Sequence, residues 1–209
     1  MKKYIIPILT IFCSLLLSIF FFDKLPESMA SHWNAQGLVD GYSTRMFNVI
    51  FFPLLQIFLL LLLIAVPKID PEKKSIKRFE STYLLFISAI LIFLSLLQLQ
   101  VFLWNTGIKI PMQIVVPILM GGLFIVTGQV IGKARQNFTI GIRTPWTLSS
   151  EKVWDRTHAL GGKLFTLSGI LSIFSALLPP YSIYVVLISI LLSTVILFIY
   201  SYLEYRKEG

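Results

Sequence analysis

Six apolar runs free of Asp, Glu, Lys, Arg and His divide this 209-residue chain: Ile5–Phe22, Phe47–Val66, Tyr83–Leu103, Gln113–Gly132, Leu164–Leu178 and Ile183–Leu203. A hydrocarbon core of roughly 30 Å takes about 20 apolar residues of helix to cross, so each run reads as a membrane span. The fifth run is short; extending it back to Ala159, with Lys163 snorkelling to the headgroups, gives it an ordinary length. Lipid offers backbone groups no hydrogen bonds, which leaves the helix as the form such runs can take. The expected fold class is all-α, an integral membrane bundle of six transmembrane helices. A composition of 56% hydrophobic against 13% charged residues excludes a disordered chain. One cysteine, Cys13, excludes a disulfide framework and a cysteine-rich zinc site.

The charge distribution sets the expected orientation. With a cytoplasmic N-terminus, the inside segments hold Lys2 and Lys3, five cations from Lys68 to Arg78, six from Lys133 to Lys163, and Arg206 with Lys207. Only Lys24, Arg45 and Lys109 face out, a split of 15 to 3. The positive-inside rule then places both termini in the cytoplasm, and the net charge of +8 follows from topology and not from nucleic-acid binding. The N-terminal run, at 18 residues, is longer than the apolar core of a signal peptide, which favours a retained first helix over a cleaved one. Three sections follow: 1–66, a first helical pair with an outer loop over 23–46; 67–132, a middle pair with a basic inner loop; and 133–209, a long inner loop with the last pair.

Within the spans the residues look like packing material. Gly128-x-x-x-Gly132, preceded by Gly121-Gly122, offers a close-approach face, as do Ser168-x-x-x-Ser172 and Ser189-x-x-x-Ser193. Gln56, Gln98, Gln100 and Gln129 are expected to face other helices. No ionisable group lies in a span to bind a coupling ion, which argues against an ion-coupled carrier but leaves a transporter or channel for a neutral or amphipathic substrate as an alternative. A structural envelope protein is a further alternative. His32 and His158 fall on opposite sides in this topology, so they cannot share a metal, and no catalytic residue, metal or cofactor is expected.

Two loops exceed what a connection requires. The outer one carries His32-Trp33-Asn34, Gly37, Asp40-Gly41 and Tyr42. Gly37 and Asp40-Gly41 supply turn signals, and Trp33 and Tyr42 suit a membrane interface. This loop is expected to be ordered, either as an interfacial cap or as a ligand-facing surface. In the inner loop, Pro145 holds Thr144 extended, and Ser149 or Ser150 can cap a helix whose first turn carries Glu151. Helical periodicity puts Val153, Trp154, Thr157, Leu160 and Leu164 on one side, and Glu151, Lys152, Asp155, Arg156 and His158 on the other. That pattern predicts a cytoplasmic interfacial amphipathic helix. On it, a contact with Asp155 or Glu151 would raise the pKa of His158. Gly161-Gly162 offer a hinge into the fifth span, and Arg143 and Trp146 can anchor to headgroups or grip a partner.

Both loops carry a family resemblance. Leu25-Pro26 through His32-Trp33-Asn34, Gly37, Asp40 and Tyr42 resembles one signature of the SdpI-type immunity proteins. Gly141-Ile142-Arg143-Thr144-Pro145-Trp146-Thr147-Leu148-Ser149 through Glu151, Trp154, Thr157-His158 and Gly161-Gly162 resembles the other. The resemblance implies a multi-pass plasma-membrane protein of a Gram-positive bacterium that protects its cell from a secreted, sporulation-delaying, membrane-active peptide toxin. It further implies a receptor that holds a winged-helix autorepressor at the membrane, with no direct contact to nucleic acid. Carried onto this chain, His32, Trp33, Asn34, Gly37, Asp40 and Tyr42 are the toxin-facing candidates. Arg143, Thr144, Pro145, Trp146, Glu151, Trp154, Thr157, His158, Gly161 and Gly162 are the cytoplasmic signalling candidates.

Overall fold

The computed structural model describes residues 2–208; the side chain of Lys2, one of the cations counted above, lies outside the described residues. Its long helices are α1 (Ile5–Phe21), α2 (Arg45–Ile69), α4 (Glu80–Asn105), α5 (Met112–Ile131), α7 (Glu151–Ser175) and α8 (Ser182–Arg206). Short helices α3 (Lys73–Lys77) and α6 (Pro145–Ser149) lie in the connections. Among the described residues five segments are long and apolar enough to cross a membrane: Ile5–Lys24, α2, α4, α5, and Pro179–Arg206 around α8. α7 is not among them, because Glu151, Lys152, Asp155, Arg156 and Lys163 occupy its first half. The chain is a multi-pass membrane protein, and its exposed apolar side chains, such as Ile19 and Phe58, form the surface that lipid covers.

Two features depart from the expectation of an all-α bundle with a separate interfacial helix. First, the loop after α1 forms an antiparallel hairpin, β1 (Ser28–Trp33) with β2 (Val39–Thr44), pairing Ser28 with Thr44 and Trp33 with Val39. Cross-strand bonding satisfies backbone groups that a disordered loop pressed on the bundle would leave unpaired. Gly41, expected in a turn, lies within β2, where a Cβ would stand 2.9 Å from the Cβ of His32. Second, the predicted amphipathic helix runs without a break into the predicted fifth span as α7. It does begin as expected, with Ser150 Oγ accepting the Val153 N–H at 3.2 Å.

Gly161 and Gly162 therefore act as contact points within a continuous helix. A Cβ on Gly162 would meet Gly128 O and Gly132 Cα at 3.0 Å, and one on Gly169 would meet Gly121 O at 2.5 Å. α5 and α7 thus run antiparallel with backbones touching, the close approach that small residues permit in lipid. The serine pairs extend the seam to α8, with Ser168 Oγ and Ser193 Oγ 2.9 Å apart. Across α1, α2 and α4, Ser14 Oγ donates to Gln98 Oε1, Gln56 Nε2 donates to Ser14 Oγ at 3.0 Å, and Gln98 Nε2 donates to Ser18 Oγ at 2.8 Å. Gln56, Gln98 and Gln100 are buried as expected; Gln129 is exposed on α5.

Both chain ends sit at the same end of the bundle. Lys3 pairs with Glu80 at the start of α4 (2.6 Å), and Asp70, just after α2, accepts bonds from Phe138 N and Thr139 Oγ1 after α5. The end of α8 joins them through Glu204 and Arg156 (2.7 Å). The hairpin occupies the other end, against the end of α4 and the start of α5. With 20 residues, α5 separates the two by roughly 30 Å.

Candidate functional site

The hairpin is held on the bundle by a side chain that stands in for a strand. Asn105, at the end of α4, accepts the Ala30 N–H at 2.8 Å and donates back to Ala30 O at 3.0 Å. Arg45 braces the base, donating to Phe22 O and Leu25 O and pairing with Glu27. The turn is built by Asn34, whose Oδ1 accepts the N–H groups of Gln36 and Leu38 at 3.0 Å. Gly37 completes it at φ +75°, a conformation that side chains disfavour.

His32, Trp33, Asn34 and Gly37 border a cleft of about 450 Å³ between the hairpin and the starts of α5 and α8, with Met112, Gln113 and Ile183 opposite. Its lining is mostly apolar, with Ser31, His32, Asn34, Gln113 and Ser182 as its polar members. Trp33 stands edge-on to Trp104, ring centroids 5.6 Å apart, and its buried indole N–H has no hydrogen-bond partner. Of the other outer candidates, Asp40 reaches His32 Nδ1 at 2.5 Å on the exposed side, and Tyr42 is exposed on β2; neither lines the cleft.

At the opposite end the second set of residues forms a knot that is mostly internal. Trp154 is fully buried and donates its indole N–H to Ala134 O at 2.9 Å. His158, one turn on, stacks on it at 3.9 Å between centroids. The expectation that His158 lies on the polar face is corrected here: it is 2% exposed, because its i, i+4 spacing from Trp154 carries it to the buried side. Nδ1 donates to Trp154 O at 2.8 Å, so Nε2 is unprotonated and accepts the Ile142 N–H at 2.9 Å. Burial outweighs the helpful Trp154 carbonyl and Asp155 charge and pushes the pKa down from 6.5 to about 4, opposite to the rise expected from a carboxylate contact.

Above pH 6.5 the ring is neutral in both states, and below it only the folded chain keeps it neutral. Between pH 6.5 and about 4 the unfolded chain takes up a proton that the folded chain refuses, so stability falls as pH drops through that window. The loss amounts to about 3 kcal/mol. A melting series of the solubilised protein across this range checks it, with His158→Asn expected to remove most of the slope.

Around the histidine, Thr144 caps α6 in a reciprocal pair with Thr147 and donates to Ser201 Oγ at 3.1 Å, while Trp146 packs on Phe198 and Tyr202. Thr157 and Gly161 are buried. Arg143, Pro145 and Glu151 are exposed, with Arg143 donating to Phe138 O at 2.6 Å. Sequence reasoning missed three residues that tie this end together and the hairpin down: Asp70, Asn105 and Asn137. Asn137 is fully buried and accepts the N–H groups of Thr139 and Ile140. Single polar residues at helix ends and in connections carry no spacing signal that could have marked them. Among the described residues no three His, Cys, Asp or Glu side chains gather to hold a metal.

These features define a helical multi-pass membrane protein with an ordered hairpin at one end and a buried Trp-His knot at the other. Residues 133–201 match the SdpI/YfhL protein family, and residues 9–57 match a domain of unknown function (DUF1648). The chain is 30% identical over 210 residues to a Bacillus subtilis (strain 168) protein named "Immunity protein SdpI", covering 99% of this chain and 98% of that one. The chain belongs to this family. No solved structure matches it.

Proposed function

We propose that this protein is an immunity protein of the bacterial plasma membrane, giving resistance to a secreted, membrane-active peptide toxin that it meets at the hairpin cleft. The observation that carries the reading is the cleft: an apolar trough bordered by His32, Trp33 and Asn34 on the hairpin and by Met112 and Ile183 on the helices. The apolar side chains of an amphipathic peptide suit the trough, and His32 and Asn34 at its edge offer polar contacts to the peptide. The full-length similarity to a protein named for immunity supports the same reading.

The proposed topology has six spans with both termini cytoplasmic. α7 packs backbone to backbone along α5, so its apolar half shares the depth of a helix that crosses the membrane. Both chain ends lie at one end of the bundle, in keeping with an even number of crossings, and the cation split of 15 to 3 supports that end as the inner one. The first half of α7 then lies at the cytoplasmic interface. There Arg143, Pro145, Trp146 and Glu151 present a surface on which a winged-helix autorepressor docks; the buried candidates Thr144, Trp154, Thr157, His158 and Gly161, with Gly162 packed on α5, support that surface. Signal transfer requires the toxin to prefer one of two bundle arrangements.

The test challenges cells with the family's sporulation-delaying peptide and reads survival and membrane potential. Expression of this protein is expected to preserve both relative to empty vector. Equal killing with and without it overturns the reading; substrate flux in reconstituted vesicles would replace it with transport.

A further inference from the structure

The inner end of the bundle carries a second cavity that the immunity reading leaves unused. It is a pit of about 410 Å³ between the N-terminus, the end of α2, α3 and the start of α4. Four lysines rim it: Lys3, Lys68, Lys73 and Lys77. The floor is apolar and tightly packed, with Ile76, Tyr83 and Ile87 all buried. Lys3 is neutralised by Glu80 at 2.6 Å, but Lys68, Lys73 and Lys77 make no ion pair among the described residues. Three uncompensated ammonium groups around one apolar pit repel each other and favour an anion between them.

A second groove, of about 560 Å³, shares Lys3 and Leu84 with the pit. It runs between α4 and α5 and is lined by apolar side chains including Ile92, Phe93, Ile118 and Leu123. Gly122 keeps it open, since a Cβ there would meet nothing within 4 Å. From Ser81 to Leu96 the α4 wall extends roughly 22 Å. That exceeds the depth of one leaflet, about 15 Å of hydrocarbon, so an acyl chain fits along it.

We propose that the lysine-rimmed pit binds the phosphate of an anionic phospholipid, with one of its acyl chains lying in the α4–α5 groove. The charge selects an anionic headgroup, and the joined groove selects a lipid over a free phosphate. Bound there, the lipid ties the N-terminus, α2, α3 and α4 together at the inner interface.

The experiment measures melting of the delipidated full-length protein in neutral detergent with added phosphatidylglycerol, phosphatidylcholine or inorganic phosphate. Phosphatidylglycerol is expected to raise the midpoint by on the order of 5 °C at a hundredfold excess over its Kd. Phosphatidylcholine and phosphate should give little shift. The triple variant Lys68→Gln, Lys73→Gln, Lys77→Gln is expected to lose at least tenfold in apparent affinity, while Lys133→Gln, Lys152→Gln, Lys163→Gln, with equal charge removed elsewhere, keeps it. Gly122→Leu, pointing into open space, is expected to fold and to weaken binding of the long-chain lipid. Equal losses in both triple variants would mean diffuse attraction and overturn the site. So would an equal shift with phosphatidylcholine, or one reproduced by phosphate alone.

Discussion

Gly169→Leu is expected to prevent stable assembly of α7 against α5. A side chain at this position meets backbone: its Cβ would lie 2.5 Å from Gly121 O and 2.9 Å from Ile125 N. The same contact is seen from the other helix, where a Cβ on Gly121 would lie 2.5 Å from Gly169 O. No rotamer relieves a clash with a carbonyl fixed in a helix, so the two axes must separate. Separation also opens the contact between Gly128 and Gly162 on the same seam, and the cost reaches about 3 kcal/mol. The check is the melting midpoint and folded yield in detergent, against Gly122→Leu on the neighbouring position of α5. Gly122→Leu should retain the wild-type yield, since the change there meets open space and removes a helix-disfavouring glycine.

Gly141→Ala should damage the Trp154–His158 end of the bundle nearly as much. Gly141 adopts φ +128°, and a Cβ there would stand 2.5 Å from His158 Nε2 and 3.0 Å from Trp154 Cζ2. The backbone strain alone is of order 1–3 kcal/mol. Moving the ring to make room breaks the Ile142 N–H bond to Nε2, worth about 1 kcal/mol, and leaves a buried donor unpaired. The loss should appear as a lower melting midpoint together with a change in tryptophan fluorescence, because Trp154 stacks on the displaced ring. It should also flatten the acid dependence of stability, since a loosened His158 is no longer held neutral. A variant with unchanged midpoint and unchanged pH slope would mean that the knot does not hold this end together.

Much of the helical framework was legible in the sequence because lipid imposes one rule: a long uncharged apolar run has to be a helix. The cap at Ser150 and the start of α7 at Glu151 were legible for a similarly local reason. Gly128, Gly132, Ser168 and Ser193 were recognisable as packing residues, but their partners were not. The pairing of Gly121 with Gly169, and of Gly128 with Gly162, is a property of two helices brought side by side. For the same reason Gly161-Gly162 reads as a hinge in sequence and serves as a contact in the fold.

The loop after α1 was legible as ordered and illegible as a hairpin. Its turn lies at Asn34–Leu38, and Asp40-Gly41, the stronger turn signal, is absorbed into a strand because His32 needs the space opposite. The position of His158 was misread from its own helix alone. Periodicity placed it among charged neighbours, whereas Ile142, sixteen residues earlier, supplies the donor that makes burial affordable.

The most direct measurement is protection of toxin-challenged cells by a Trp33→Ala, Asn34→Ala variant, at matched abundance with the wild type, scored by survival and membrane potential. The hairpin cleft predicts that the wild type preserves the potential and the double variant does not, while Arg143→Ala on the opposite end still protects. Full protection by the double variant would contradict the cleft as the toxin-facing surface.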